Sequence, residues 1–268
     1  MIISSEKPKR QDGLRYYRRV SEHFDLPIRN YECVTSVGGK KEDFRVQSTD
    51  HRENVRTRRC RRIILATGYY DNPNQLSVPG EDLVKVSHYY SDCHPYHKKK
   101  VAVVGGNNSA AETALDLFRN AKAKVTIVHR GKAMGKEIKY WVRPDINNRI
   151  ERGEIQAYFS STVQEIKEKE IRISTPNGEK IISNDFVFAM IGYHPDISLL
   201  ERMGIEVSEN GLIPCHNSET LETNVKGIYL AGSVVAGRMT NRIFIENGRF
   251  HGQQIVQHWD TETKEPSC

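Results

Sequence analysis

Apolar residues recur along the chain with two different periods. Between residues 11 and 24, Leu14, Tyr17, Val20 and Phe24 share one helical face, and Pro27 ends that region. Short alternating runs follow at 32–37 and 44–48, joined by Gly38-Gly39, with a third at 54–58. They predict a small antiparallel meander. The continuous run Ile63-Ile64-Leu65-Ala66 predicts a buried strand that stops at Thr67-Gly68. A proline-punctuated loop (69–80) and a connector rich in His and Tyr (84–100) lead to a second buried strand at 101–104. Past a glycine turn, Ala110, Ala114, Leu117 and Ala121 mark one helical face, small enough for close packing, and 125–128 is a third buried strand. The pattern then predicts a helix over 141–152 starting near Pro144, and a strand at 155–159. Alternating runs follow over 162–174 and 179–182, then an apolar strand over 186–191. A short strand at 212–214, a strand over 228–233 and a helix over 241–259 complete it, with Ile245, Phe250 and Ile255 as buried candidates. Residues 1–12 are polar and read as a loose lead-in.

Two stretches share one plan. A meander and an apolar strand end in Ala66-Thr67-Gly68-Tyr69 with Pro73 close behind. A second meander and strand end in Met190-Ile191-Gly192-Tyr193 with Pro195 close behind. The second copy is preceded by a strand–turn–helix–strand unit. The first is preceded only by a helix and one strand, so a glycine-rich nucleotide-binding unit is expected to be absent there.

The unit before the second copy, residues 98–132, carries the clearest chemistry. Its turn reads Gly105-Gly106-Asn107-Asn108-Ser109-Ala110. A dinucleotide pyrophosphate needs close backbone approach, which glycine permits, and a helix N-terminus that directs N–H groups at the phosphates. Asn107 stands where the second glycine of G-x-G-x-x-G/A usually sits, and Ala110 at the third. Ser109 to Glu112 predicts a capping box. The second strand ends in His129-Arg130-Gly131-Lys132 instead of an acidic residue, which suits a 2′-phosphate and favours NADP over NAD.

Composition narrows the class. The chain has 268 residues, a scale of one or two domains, with 37% hydrophobic and 28% charged residues. The net charge of +6 is scattered, apart from clusters at 56–62 and 98–100 that abut strands. These read as solvated strand ends, and no nucleic-acid partner is expected. No apolar run approaches the ~20 residues that span a bilayer, and charges follow Met1-Ile2-Ile3 too soon for a signal peptide. No membrane partner is expected. Five cysteines (33, 60, 93, 215 and 268) give an odd count with no C-x-x-C. That favours a reducing cytoplasm and argues against a disulfide scaffold or a zinc site, so no metal is expected.

With these residues in view, nearly the whole chain resembles the thioredoxin-reductase-like flavoproteins that bind two dinucleotides. Ile64 to Gly68 resembles the family's strand–ATG motif beside FAD, residues 105–112 its NADPH loop, and 223–232 its second FAD motif. Ser233 stands where the family usually has Asp. Within the group the chain is most similar to the bacillithiol disulfide reductases, the YpdA-like branch. That likeness rests on Ser87-His88-Tyr89-Tyr90, Gly105 to Ala110, Lys139-Tyr140-Trp141-Val142 with Pro144-Asp145-Ile146, and Ile243-Phe244-Ile245-Glu246-Asn247-Gly248-Arg249. The family's C-x-x-C positions fall here on His88 and Ser91, and Cys93 stands alone, so ordinary thioredoxin reduction is not expected. Cys33, Cys60 and Cys215 read as structural.

The resemblance implies an α/β fold of two Rossmann-like dinucleotide-binding domains, each a parallel sheet plus an antiparallel meander. The FAD domain would be discontinuous and N-terminally truncated: FAD-binding over 1–85 and 197–268, NADPH-binding over 86–196. It implies a small-molecule disulfide as substrate. It places Gly105, Gly106, Asn108, Ser109, Ala110, His129, Arg130 and Gly192 at NADPH, and Ala66, Thr67, Gly68, Gly232 and Ser233 at FAD, with Asn247 and Gly248 approaching the flavin ring. It assigns no catalytic residue; His88 and Glu246 read as structural. Two other readings stay open: a truncated NADP(H)-binding homologue without activity, and a flavin monooxygenase-like protein. A sheet edge left unpaired by the absent unit would favour a homo-oligomer.

Overall fold

The computed structural model describes residues 10–264. The lead-in up to residue 9 and Cys268 lie outside the described residues. The chain divides into two compact units, residues 1–62 and 63–268.

In the first unit α1 (Arg10–His23) precedes three antiparallel strands, β1 (Glu32–Lys40), β2 (Asp43–Asp50) and β3 (Val55–Cys60), in the order β1-β2-β3. The meander forms as its alternation predicts, but its first turn does not lie at Gly38-Gly39. Those glycines pair within the ladder, Gly39 opposite Phe44, and the chain reverses at Lys41-Glu42, where Glu42 takes φ +73°. Ser48, buried in the sheet, donates to Glu32 at 2.5 Å, and Arg58 pairs with the same carboxylate; Ser48 first and Arg58 second hold Glu32 below the ordinary carboxylate range. The α1 helix also forms where predicted. Its apolar face does not become core: Leu14, Tyr17 and Phe24 are exposed, and no residue of the helix is buried. Amphipathic periodicity sets a helix and its stripe, but burial needs an element packed on that stripe.

The second unit runs β4 (Ile63–Leu65), β5 (Val86–Ser87), β6 (Lys100–Val104), α2 (Asn108–Asn120), β7 (Lys124–Val128), α3 (Arg143–Glu151), β8 (Gln156–Tyr158), β9 (Thr162–Ile166), β10 (Glu170–Thr175), β11 (Gly178–Ser183), β12 (Phe186–Ala189), α4 (Ile197–Arg202), β13 (Ile228–Leu230), α5 (Ile245–Gly248) and α6 (His251–Lys264). Five strands form a parallel sheet in the order β5-β12-β6-β7-β8. It is buried on both faces, which is why its strands read as unbroken apolar runs. Val101, Val103, Val125 and Ile127 pack with Ala110, Ala114 and Leu117 of α2 and Ile146 of α3. The alternate residues Ala102, Val104 and Val128 pack with Val163, Ile166, Ile171 and Ile173 of the antiparallel sheet β11-β10-β9. The four small or apolar α2 positions predicted to face the sheet are all buried.

A second, two-stranded parallel sheet joins β4 to β13, with Ile63 opposite Ile228 and Leu65 opposite Leu230. Residues more than 160 positions apart thus share one ladder, so the β4–β13 part of the fold is discontinuous in sequence.

Two predicted elements differ, and one helix was not predicted. Residues 212–214 form no strand; Pro214 makes only an isolated bridge with Val207. The helix expected over 241–259 is not continuous: residues 241–244 lie outside it, Asn247 accepts from the Phe244 N–H in a capping box that starts α5, and a turn at Arg249-Phe250 separates α5 from α6. Of its three buried candidates Ile255 is buried, whereas Ile245 and Phe250 are exposed. The unpredicted α4, six residues long, is too short to show a helical period; Asp196 caps it, accepting from the Leu199 N–H at 2.9 Å.

Candidate functional site

Strand order locates a crevice. From β6 the chain moves outward through β7 to β8, while β12 and β5 lie on the other side of β6. The order therefore reverses between β6 and β12, and open parallel sheets bind ligands at the carboxyl ends of strands flanking such a reversal. Gly105 follows β6 there, and Met190 to Gly192 follow β12.

The turn after β6 is packed tightly. Gly105 takes φ +141°, and a Cβ on it would stand 2.3 Å from the Met190 carbonyl oxygen. Any larger residue would push apart the ends of the two central strands. A Cβ on Gly106 would stand 2.4 Å from the His129 ring, which lies across Gly106 and Gly131. The glycine pair was expected to clear space for a pyrophosphate. Here the protein's own Met190 carbonyl and His129 ring fill the two Cβ positions, and the His129 ring is the part that can swing aside.

The helix start also differs from expectation. Asn107 is the residue before α2, and no side chain caps the helix. Glu112 does not reach back to form a capping box; it pairs with Lys139 at 3.0 Å. Asn108 accepts from the Lys139 N–H at 2.9 Å and donates to the Glu137 carbonyl at 3.0 Å. Residues 135–139 thus form a strap over the helix start, tied by Asn108 and by the Glu112–Lys139 pair. The strap begins at Gly135, whose N–H donates to the Gly106 carbonyl at 2.7 Å. Ser109 is exposed beside it and Ala110 is buried against the sheet. At the end of β7, His129 is half-buried and Arg130 exposed. Burial, and then the Arg130 charge, hold His129 below the ordinary histidine value. Gly192 lies beside Asn74, which donates its backbone N–H to the Gly192 carbonyl at 3.0 Å and its side-chain amide to the Ile191 carbonyl at 3.1 Å.

The β4–β13 sheet brings the other predicted residues together. Ala66, Thr67 and Gly68 follow β4, and Gly232 and Ser233 follow β13. A Cβ on Gly68 would meet the Ser233 hydroxyl at 3.3 Å, and a Cβ on Gly248 would lie 3.6 Å from the Gly232 Cα. Gly68, Ser233, Gly232 and Gly248 therefore form one cluster. Ala66 and Thr67 are exposed, and the space a Cβ of Gly232 would fill is open. Asn247 is exposed, but its side chain is occupied with Phe244 and Arg242 of its own turn. His251, which no motif pointed to, accepts from the Gly232 N–H through Nδ1 at 3.0 Å. Burial, and then His216, hold it below the ordinary histidine value.

The two Gly-Tyr ends meet. Pro73 and Tyr193 form an antiparallel bridge. Tyr193 packs against Tyr69, Tyr70 and Tyr89 with ring centroids 6.2, 4.9 and 5.9 Å away, and donates to the His88 carbonyl at 2.8 Å. His88 itself lies 3.3 Å from Glu81. Asn74 and the tyrosine packing left no signal in one-dimensional periodicity, since loop residues bond according to where two distant strand ends cross. Cys93 is buried, and burial raises its thiol. Cys33 and Cys215 are exposed, which corrects the expectation that they pack structurally; Cys60 is half-buried.

The residues fit two dinucleotides. At one end are a glycine turn at a strand-order reversal, an uncapped helix start and a cationic strand end. At the other, an open glycine cradle faces exposed backbone.

Residues 1–232 match the family model described as pyridine nucleotide-disulphide oxidoreductase. The chain is 43% identical over 256 residues to bacilliredoxin reductase Bdr of Bacillus subtilis, covering 95% of this chain and 78% of that protein. The solved bacillithiol disulfide reductase Bdr (YpdA) from Bacillus cereus superposes with a TM-score of 0.93 at 40% identity, covering 97% of this chain and 80% of that one. The enzyme of the same name from Staphylococcus aureus gives 0.88 at 39% identity, covering 98% and 80%.

Proposed function

We propose a function from one premise: the chain belongs to the pyridine nucleotide-disulphide oxidoreductase family. It is an NADPH-dependent flavoprotein that reduces a low-molecular-weight disulfide of the bacillithiol type. One NADPH, one proton and one disulfide enter; NADP+ and two thiols leave. FAD, when bound, supplies the two-electron carrier between nicotinamide and disulfide.

The observation that carries this reading is the β4–β13 pairing, which sets Gly68 beside Ser233 in the same unit as the β6–α2 turn. One unit then offers two glycine-lined strand ends, as a two-cofactor reductase requires. Gly105, Gly106, Ser109 and Ala110 hold the pyrophosphate of NADPH at the start of α2, and Asn108 acts through the strap it ties. His129 and Arg130 take the 2′-phosphate, and Gly192 borders the nicotinamide. Ala66, Thr67, Gly68, Gly232 and Ser233 hold FAD, with Asn247 and Gly248 on the ring side. The domain assignment is 86–196 for NADPH, supported by the five-stranded sheet falling within it, and 1–85 with 197–268 for FAD, supported by β4 pairing with β13. No side chain is assigned as acid, base or nucleophile. Among the described residues no helix is long and apolar enough to cross a membrane, and four cysteines are free. The partner we assign is a small disulfide, as the solved bacillithiol disulfide reductases it resembles suggest, and the site we assign it is the cytoplasm.

The first experiment is a visible spectrum of the purified protein before and after anaerobic NADPH. A flavin band that bleaches, with NADPH then consumed on adding bacillithiol disulfide or an oxidised bacilliredoxin, supports the proposal and ranks the two substrates. A colourless protein that still binds NADPH replaces it with a binding module. NADPH consumption only under dioxygen favours a monooxygenase-like protein.

A further inference from the structure

A cluster away from both glycine turns has no part in this chemistry. Glu222 lies just ahead of β13 and is 5% exposed. One carboxylate oxygen accepts from the Gly227 N–H at 2.8 Å. The other lies 3.0 Å from Lys226 Nζ and 3.9 Å from His258 Nε2. His258 and Glu262 occupy successive turns of α6, and His258 Nε2 lies 3.8 Å from the Glu262 carboxylate. The three ligand atoms fall within 4.8 Å of one another.

Two polar atoms of this grouping make no hydrogen bond. His258 Nε2 is fully buried and makes no hydrogen bond, although two carboxylates face it. At 3.8 and 3.9 Å neither is close enough to accept one. Tyr229, fully buried on β13 with its ring 6.0 Å from that of His258, carries a hydroxyl that also makes no hydrogen bond of ordinary geometry. Buried polar atoms left without partners are costly, and three of the groups here are metal-ligand types.

The spacing suits one ion. Ligands each about 2.1 Å from a zinc ion lie up to about 4.2 Å apart. The 3.8 and 3.9 Å separations fall inside that reach, and the half-exposed Glu262 near the end of α6 can close the remainder. We propose that Glu222, His258 and Glu262 form a binding site for a divalent first-row cation, with zinc as its best match. One imidazole and two carboxylates make a mixed nitrogen and oxygen set, and three protein ligands leave a coordination position open. A cavity of about 350 Å³, lined by Cys215, His216, Thr220 and Asn224 as well as Glu222 and His258, adjoins that position. Lys226 is the competitor: its exposed ammonium neutralises Glu222 until the ion displaces it. The absence of C-x-x-C in the sequence does not bear on this ligand set.

The test is calorimetric titration of Zn²⁺ into the chelator-treated full chain, with Cys215→Ser as background to remove the exposed thiol. One Zn²⁺ per chain is expected, weakened at least about tenfold in His258→Gln and in Glu262→Gln and tightened in Lys226→Met. Zn²⁺ should raise the melting temperature of the parent but not of His258→Gln. Glu222 is left intact because it also holds the Gly227 turn. No binding by the parent would overturn the proposal and leave an ion-pair network. Binding that survives His258→Gln, or that disappears with Cys215→Ser alone, would overturn it in favour of a different ligand set.

Discussion

The β6–α2 turn and the β4–β13 sheet are the two candidate cofactor ends, and they are built differently. Four of five β6 residues are buried, and the turn that follows is wedged against Met190 and His129 and strapped by residues 135–139. The β4–β13 end rests on a two-stranded sheet. Ile64, Ala66 and Thr67 are exposed, Gly232 opens onto empty space, and a single histidine bond positions its N–H. The first end is shaped by its own core, so its geometry exists before ligand arrives. The second depends on a few local bonds and gains more order from whatever fills it. Perturbations of the first should therefore act sterically, and those of the second through hydrogen bonding.

The largest effect is expected from Gly105→Val. A left-handed conformation and a backbone carbonyl 2.3 Å from the new Cβ leave no room to relax. NADPH affinity, followed by titration of the nucleotide's fluorescence, should fall about 100-fold, roughly 2.8 kcal/mol, while bound flavin is retained. Normal NADPH binding by this variant would place the nucleotide elsewhere.

Arg130→Ala comes next. It removes a hydrogen-bond donor to a charged group, worth about 1.5–3 kcal/mol, so the KM for NADPH should rise about 10–100-fold while NADH is used as before. Equal losses for both nucleotides would remove Arg130 from 2′-phosphate recognition.

His251→Ala probes the other end. It deprives the Gly232 N–H of its acceptor, at a cost of about 1–3 kcal/mol. Flavin content after dialysis should fall about tenfold, with NADPH affinity unchanged. A variant that keeps its flavin but loses NADPH would reverse the comparison.

The smallest effect, a few-fold, separates the ends by pH. His129 is held below its ordinary value of 6.5, and a bound phosphate raises it. NADPH affinity should therefore strengthen as pH falls through the raised value of the complex and level off below the depressed value of the nucleotide-free protein. His251 is also held below 6.5, and its Nδ1 must stay unprotonated to accept from Gly232. Its contribution is complete above 6.5 and is lost as pH falls from there toward its depressed value. Acidification should thus tighten NADPH and loosen FAD, read by equilibrium titration of each. Parallel changes would show that neither histidine governs its end.

Sequence by itself determined the strand–turn–helix–strand unit around Gly105, the two meanders, and the paired Gly-Tyr strand ends. Each follows from local rules: unbroken apolar runs for strands buried on both faces, period-two alternation for the meanders, and small residues on the α2 face that meets the sheet. The glycine turns at both strand ends were legible for the same reason, since glycines close to apolar runs mark where a backbone must turn sharply; the cofactor roles of the residues around them came from the family resemblance. Tertiary structure alone decided which distant groups meet them. It put the His129 ring over Gly106, drew Glu112 away from the helix cap to Lys139, and made Asn108 a tie for a strap. It joined β4 to β13, interrupted the last helix at Arg249-Phe250, set His251 under Gly232, and left the α1 stripe exposed. A side chain's periodicity encodes the direction it faces, but its partner is fixed only when segments far apart in the chain are brought within hydrogen-bonding or packing distance.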